Sequence, residues 1–159
     1  MKNKIFVIIL ISTILINCGE NKDSNSSGGG NDSAKEKLAQ RFGLTLYELE
    51  NGVGPIKEKI TLGEISKSLA DDGKKLFEEK CMQCHKMDER YTGPALRGVT
   101  ERRTPEYIMN MILNPEEMTK RHPEAKKLLG IHANQMTFQN VTQDNARALL
   151  EYLRMESSH

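Results

Sequence analysis

At 159 residues the chain can hold one compact domain with additions, but hardly two full ones. Its 23 Lys and Arg against 22 Asp and Glu give no broad basic field, which argues against nucleic-acid binding by phosphate neutralisation. Three Cys are too few for a disulfide-rich scaffold, and 37% hydrophobic residues with 5% aromatics imply a small core with room for a filler other than side chains.

Lys2 and Lys4 precede an apolar and hydroxyl run from Ile5 to Ile16. A run of that length suits the apolar region of a signal peptide, about 7–15 residues, better than a membrane span of about 20. Leu15-Ile16-Asn17-Cys18 follows, and it resembles the lipobox of bacterial lipoproteins. The resemblance implies a signal peptide at 1–17 and export to the periplasmic side of a bacterial membrane. It also implies lipidation of Cys18 as the first mature residue, with more than one acyl chain for stable anchoring. An ordinary signal peptide with an incidental cysteine is the alternative. Gly19 to Ser33 is dominated by Gly, Ser, Asn and Asp, so 18–33 is expected to be the lipid anchor and a flexible tether.

Residues 34–65 form an N-terminal extension expected to pack on the main domain. Leu38, Phe42, Leu44, Leu46 and Leu49 start with helical spacing and drift toward alternation, and Asn51-Gly52 and Gly54-Pro55 are turn signals. The domain at 66–159 reads as all-α. Asp71 to Lys80 predicts a helix with acidic residues in its first turn. Thr104-Pro105 is an N-cap followed by Pro at the first helical position, opening a helix to Leu113. Asn114-Pro115 stops it and can start another short turn. Pro123 opens a helix for which Gly130 is the expected stop. Thr142 caps a last helix whose Ala146, Leu149, Leu150 and Leu153 share one stripe.

Cys81-Met82-Gln83-Cys84-His85 is the C-x-x-C-H pattern of covalent haem c attachment. Two thiols at this spacing reach the two vinyl groups on one porphyrin edge, and the next residue sets its imidazole below the iron. A structural zinc site needs a second ligand pair, and the only other cysteine is Cys18. A thioredoxin-like pair needs a βαβ context that is missing here, and a Cys81–Cys84 disulfide would close a strained small loop.

With Thr92-Gly93-Pro94 shortly after this motif, the chain from about Ser66 to Met155 resembles the class I monohaem cytochrome c family. The resemblance implies helices wrapped around one covalent haem c, with Cys81 and Cys84 as thioether residues and His85 as an axial iron ligand. It implies that the Pro94 carbonyl orients His85 and that the first and last helices cross at Gly73 with Phe77, Leu149 and Tyr152. It also implies Met136 as the second axial ligand, on a loop where Thr137 stands in place of the frequent Pro. His132 and His122 are alternative ligands, Met109, Met111 and Met118 are expected core or haem-wall residues, and Arg97 is a candidate partner for a haem propionate.

The function so implied is a membrane-tethered one-electron carrier of a respiratory chain, with no catalytic residues of its own. Its redox partners would be a quinol-oxidising complex and a terminal oxidase or reductase. Residues 52–55 and 104–123 also look like lipoprotein cytochromes found beside nitrous-oxide reductases. Arg102-Arg103, Lys120-Arg121 and Lys126-Lys127, interleaved with Glu101, Glu106, Glu116, Glu117 and Glu124, are either a solvated face or a docking ring. The alternatives are a peroxidase-like haem enzyme or gas sensor with an open sixth position, and a haem subunit of a larger oxidoreductase complex that uses 34–65 as its interface.

Overall fold

Side-chain caps set most helix starts among the described residues. The computed structural model describes residues 29–157, and every helix or strand among them is a helix. These are α1 (Gly29–Phe42), α2 (Leu46–Asn51), α3 (Lys67–Lys80), α4 (Val99–Arg102), α5 (Pro105–Leu113), α6 (Pro115–Arg121), α7 (Pro123–His132) and α8 (Gln143–Ser157). Thr45 starts α2 through a reciprocal capping box: its Oγ1 accepts the Glu48 N–H at 3.1 Å, and Glu48 Oε2 accepts the Thr45 N–H at 3.0 Å. Thr104 Oγ1 caps α5 by accepting the Tyr107 N–H at 3.1 Å, and Pro stands at the first position of α5, α6 and α7. Thr142 caps α8 the same way, exchanging side chain–backbone bonds with Asn145 at 3.0 and 3.1 Å.

Four expectations change. Helix α3 starts one turn early because Ser66 caps it, so Asp71 and Asp72 lie in its second turn, where Lys67 and Lys75 pair with them. Helix α7 runs through Gly130 to His132 and stops at Ala133, whose φ of 51° puts a non-glycine residue in the left-handed region. The short α4 had no sequence signal. Helix α1 begins at Gly29, so residues 29–33 of the expected tether are helical. The signal peptide, Cys18 and residues 19–28 lie outside the described residues.

The frame is the crossing of α3 and α8. A Cβ on Gly73 would overlap the Ala148 carbonyl and come within 2.9 Å of Tyr152 Cβ, so only glycine admits this approach. Phe77 packs on Tyr152 at 5.4 Å between ring centroids, and Leu149 is buried beside them. Glu151, fully buried on α8, accepts the Ser66 N–H at 2.8 Å and pairs with Arg147 and Arg154. Burial pushes its carboxyl pKa up, but the Arg147, Ser66 and Arg154 bonds outweigh this and hold it below the usual range.

The extension packs on the outside of α5 to α7. Ala39, Leu44 and Val53 share a core cluster with Tyr107, Met118 and Ala125. Ile56 joins Ile108, Met109, Ala146, Leu150 and Leu153 in a second cluster.

Candidate functional site

Helix α3 delivers the C-x-x-C-H motif by ending on it. Cys81 is the C-cap residue, its N–H bonded to Phe77 O at 2.9 Å, and the Cys84 and His85 N–H groups then fold back onto Cys81 O at 3.0 and 2.9 Å. Cys81 is half-buried, Cys84 is exposed, and no disulfide joins them. Burial is the main reason the Cys81 thiol is pushed up to about 11.

His85 is held from one side only. Its Nδ1 lies 3.1 Å from Pro94 O, so Nδ1–H donates to that carbonyl and the lone pair is left on Nε2. A Cβ on Gly93 would sit 2.5 Å from His85 Cε1, so glycine is needed where the loop crosses the ring. The Gly93 N–H bonds Cys84 O at 2.8 Å, closing the loop onto the motif. Burial, the largest cause, draws the His85 pKa below its ordinary value; the Pro94 bond opposes this and nearby His132 adds to it. The ring is therefore neutral at neutral pH, the form that binds metal.

Cys81, Cys84, His85 and Pro94 line one cavity, and Met136 and His132 line it too. Helices α5, α7 and α8 supply its apolar walls, among them Ile108, Met111, Leu128 and Leu149. Other candidates lie elsewhere. Met118 Sδ accepts the Val53 N–H at 2.9 Å in the extension, and Met109 is buried in the second core cluster. His122 has neither nitrogen free: Nε2–H donates to Leu49 O at 3.0 Å, and Nδ1 accepts the Glu124 N–H at 3.3 Å. Arg97, expected at a propionate, does not line the cavity; it pairs with Asp88 and, at 3.2 Å, with Glu156. The loop turns its guanidinium toward the end of α8, where Nη1 also donates to Glu156 O at 2.6 Å.

Three cavity residues are not legible in the sequence as site residues. Tyr107 stands in the wall with a buried hydroxyl that lacks a hydrogen-bond partner, and Arg103 lies over its ring at 5.1 Å. Arg102 lines the same cavity. The Arg102-Arg103 pair is visible as charge, but only the fold shows that it borders a cavity rather than open solvent. A second buried atom without a partner, His132 Nδ1, borders the same space. A mostly apolar cavity with a neutral imidazole, a thioether, two thiols and unpartnered donors fits a porphyrin with carboxylate arms. A protein-only metal cage does not fit: among the described residues no three His, Cys, Asp or Glu side chains converge to hold an ion.

This fold and cavity define a helical protein built around a haem fixed at a C-x-x-C-H motif. The family model described as Cytochrome c matches residues 70–156, more than half the chain, and the chain belongs to the cytochrome c family. It is similar to cytochrome c from Rhodothermus marinus at 46% identity over 70% of this chain and 96% of that one, with a TM-score of 0.67. Two engineered forms of that Rhodothermus marinus cytochrome c are similar at 45% identity. One of them, bound to a carbene intermediate, has a TM-score of 0.64 over 70% of this chain and 97% of that one. No curated protein matches. A match over 70% of the chain is longer than residues 66–159, so the likeness takes in part of the extension. Family membership makes this a haem-based electron-transfer protein that carries one covalent haem c.

Proposed function

We propose that the chain is a membrane-tethered one-electron carrier of a respiratory chain, in which Cys81 and Cys84 would hold the haem covalently and His85 and Met136 would be its iron ligands. The observation that carries the ligand assignment is the Nδ1–H bond of His85 to Pro94 O, which leaves the Nε2 lone pair for a metal in the cavity that Met136 also lines. The bound haem supplies an iron that takes up or releases one electron. The chain's own residues do the rest. Pro94 and Gly93 fix the ring and tautomer of His85. Ile108, Met111 and Leu149 exclude water. Arg102, Arg103 and Tyr107, rather than Arg97, border the cavity where carboxylate arms would be held. Ligation by one methionine and one histidine would favour the ferrous state relative to ligation by two histidines.

Cys18 is proposed as the lipid anchor, and the partners as a quinol-oxidising complex upstream and a terminal oxidase or reductase, such as a nitrous-oxide reductase, downstream. A second reading, an open sixth position used for ligand binding or peroxidase-like chemistry, is favoured by one observation: His132 Nδ1 is buried in the cavity without a partner.

The two readings separate in one experiment on the exported protein. Its mass should show one added porphyrin. The oxidised protein should show the far-red sulfur-to-iron charge-transfer band, and Met136→Ala should lose it and bind carbon monoxide rapidly when reduced. A wild type that lacks the band and binds carbon monoxide rapidly assigns the protein to the second reading.

A further inference from the structure

Helix α5 has two working faces. Tyr107, Ile108, Met111 and Ile112 line the haem cavity. Glu106, Asn110 and Asn114, spaced i, i+4 and i+8, face the main chain of the extension instead. At about 100° per residue the two sets are centred roughly 130° apart on the helix.

The polar set reads backbone, not side chains. Glu106 Oε1 accepts the Ile60 N–H at 2.6 Å. Asn110 Oδ1 accepts the Ile56 N–H at 2.9 Å, while its Nδ2 donates to Asn51 O at 2.9 Å and Ile56 O at 3.1 Å, with Gly52 O at 3.4 Å. Asn114 Nδ2 reaches Val53 O at 3.4 Å. Asn110 is 0% exposed and Glu106 4%. Donors facing three carbonyls and an acceptor facing an N–H leave one orientation for the Asn110 amide. Residues 51–60 of the extension, the strap over α5, fit from their own side as well. A Cβ on Gly54 would collide with Asn110 Oδ1, and one on Gly52 would come within 2.9 Å of Met118 Sδ.

No residue of 34–65 lines the cavity, yet this stretch is fastened to the helix that does. We propose that Asn110, with Glu106 and Asn114, is a positioning residue of the haem site: by gripping the main chain of residues 51–60 it sets the rotation of α5, and with it the wall presented to the haem. Loss of the Asn110 side chain strands several buried backbone groups at once, so the strap and α5 come apart together. The inference rests on the haem occupying this cavity.

The test uses the full haem-loaded chain and attacks the contact from both sides. Asn110→Leu removes the grip from α5, and Gly54→Ala pushes the strap away without altering α5. Both should raise proteolytic cleavage within 52–60, speed carbon monoxide binding to the ferrous protein by about ten-fold, and lower the midpoint potential. Glu106→Gln keeps an acceptor for the Ile60 N–H and should match the wild type in all three. If Asn110→Leu yields no haem-loaded protein, Gly54→Ala decides by the same readouts. Strap cleavage with unchanged potential and carbon monoxide rate would reduce the contact to a structural clasp and overturn the proposal. So would free amide exchange at Ile56 and Ile60 in the wild type. A wild type without added porphyrin mass fails the haem reading instead, and is told apart because strap cleavage can still be measured.

Discussion

Burial treats His85 and His122 alike, but the two rings are used differently. Both are drawn below the ordinary histidine pKa of 6.5, chiefly by burial. His85 bonds a carbonyl through Nδ1 and keeps Nε2 in reserve, whereas His122 spends both nitrogens on joining the extension to the start of α7. At His122 the Leu49 bond and Glu124 pull the pKa up and Arg103 pulls it down, and Tyr107 packs on the ring at 5.1 Å. The folded-state pKa is depressed, so the unfolded chain binds the proton more readily. The stabilisation from neutral His122 is then complete above pH 6.5 and is lost as pH falls from there through the folded-state value. Urea unfolding of the haem-loaded protein should show a lower midpoint at about pH 5 than at about pH 7, and His122→Gln should narrow that difference. Equal pH dependence in the two proteins would mean that His122 is not the group responsible.

At the scale of elements, the α3–α8 crossing is where one residue decides most. Gly73 costs α3 about 0.5–1 kcal/mol of helix propensity, and the chain keeps it because the Ala148 carbonyl occupies the space of a Cβ. Gly73→Val forces the helices apart and should destabilise the haem-loaded protein by about 3 kcal/mol, read as a lower denaturant midpoint. An unchanged midpoint would remove the crossing from its place as the frame of the fold. This crossing is reached from the sequence only through the family resemblance, because Gly73 and Phe77 lie on one helix and Leu149 and Tyr152 on another far along the chain. Thr104, Pro105, Pro123 and Thr142 are legible directly, because a cap acts on its own next turn. The polar stripe of α5 is not. Glu106 and Asn110 look like an exposed face until a distant backbone, 46 to 59 residues away in sequence, turns out to cover them. Gly130 misleads in the opposite sense, since a glycine within a helix of otherwise good formers is tolerated when left-handed Ala133 supplies the stop. Of the site, the C-x-x-C-H motif can be read directly and Gly93-Pro94 through the family resemblance, while Tyr107 cannot, because its role depends on which side of α5 the cavity lies.

For the whole molecule, the proposed tether is weighed by chain length and charge. The formal net charge of +1 provides little electrostatic adhesion to anionic lipid, and among the described residues no helix is long and apolar enough to cross a bilayer. Cys18 is the proposed point of attachment to a membrane, and a lipid there would act without a broad basic face or a spanning helix among the described residues. From Cys18 to the start of α1 at Gly29 the chain spans at most about 40 Å when fully extended. On the proposed reading, an anchor that close would raise the local concentration of the haem domain around membrane oxidoreductases without any new contact. Cells expressing the wild type should therefore keep the haem-stained protein in the membrane pellet through a high-salt wash. Cys18→Ala should release it, if processed, with an unchanged visible spectrum, and should slow its reduction by quinol-supplied membranes at equal protein concentration. A variant that stays in the pellet after the wash would place the attachment on a protein partner, and the extension outside α5 to α7 would become the surface to test for it.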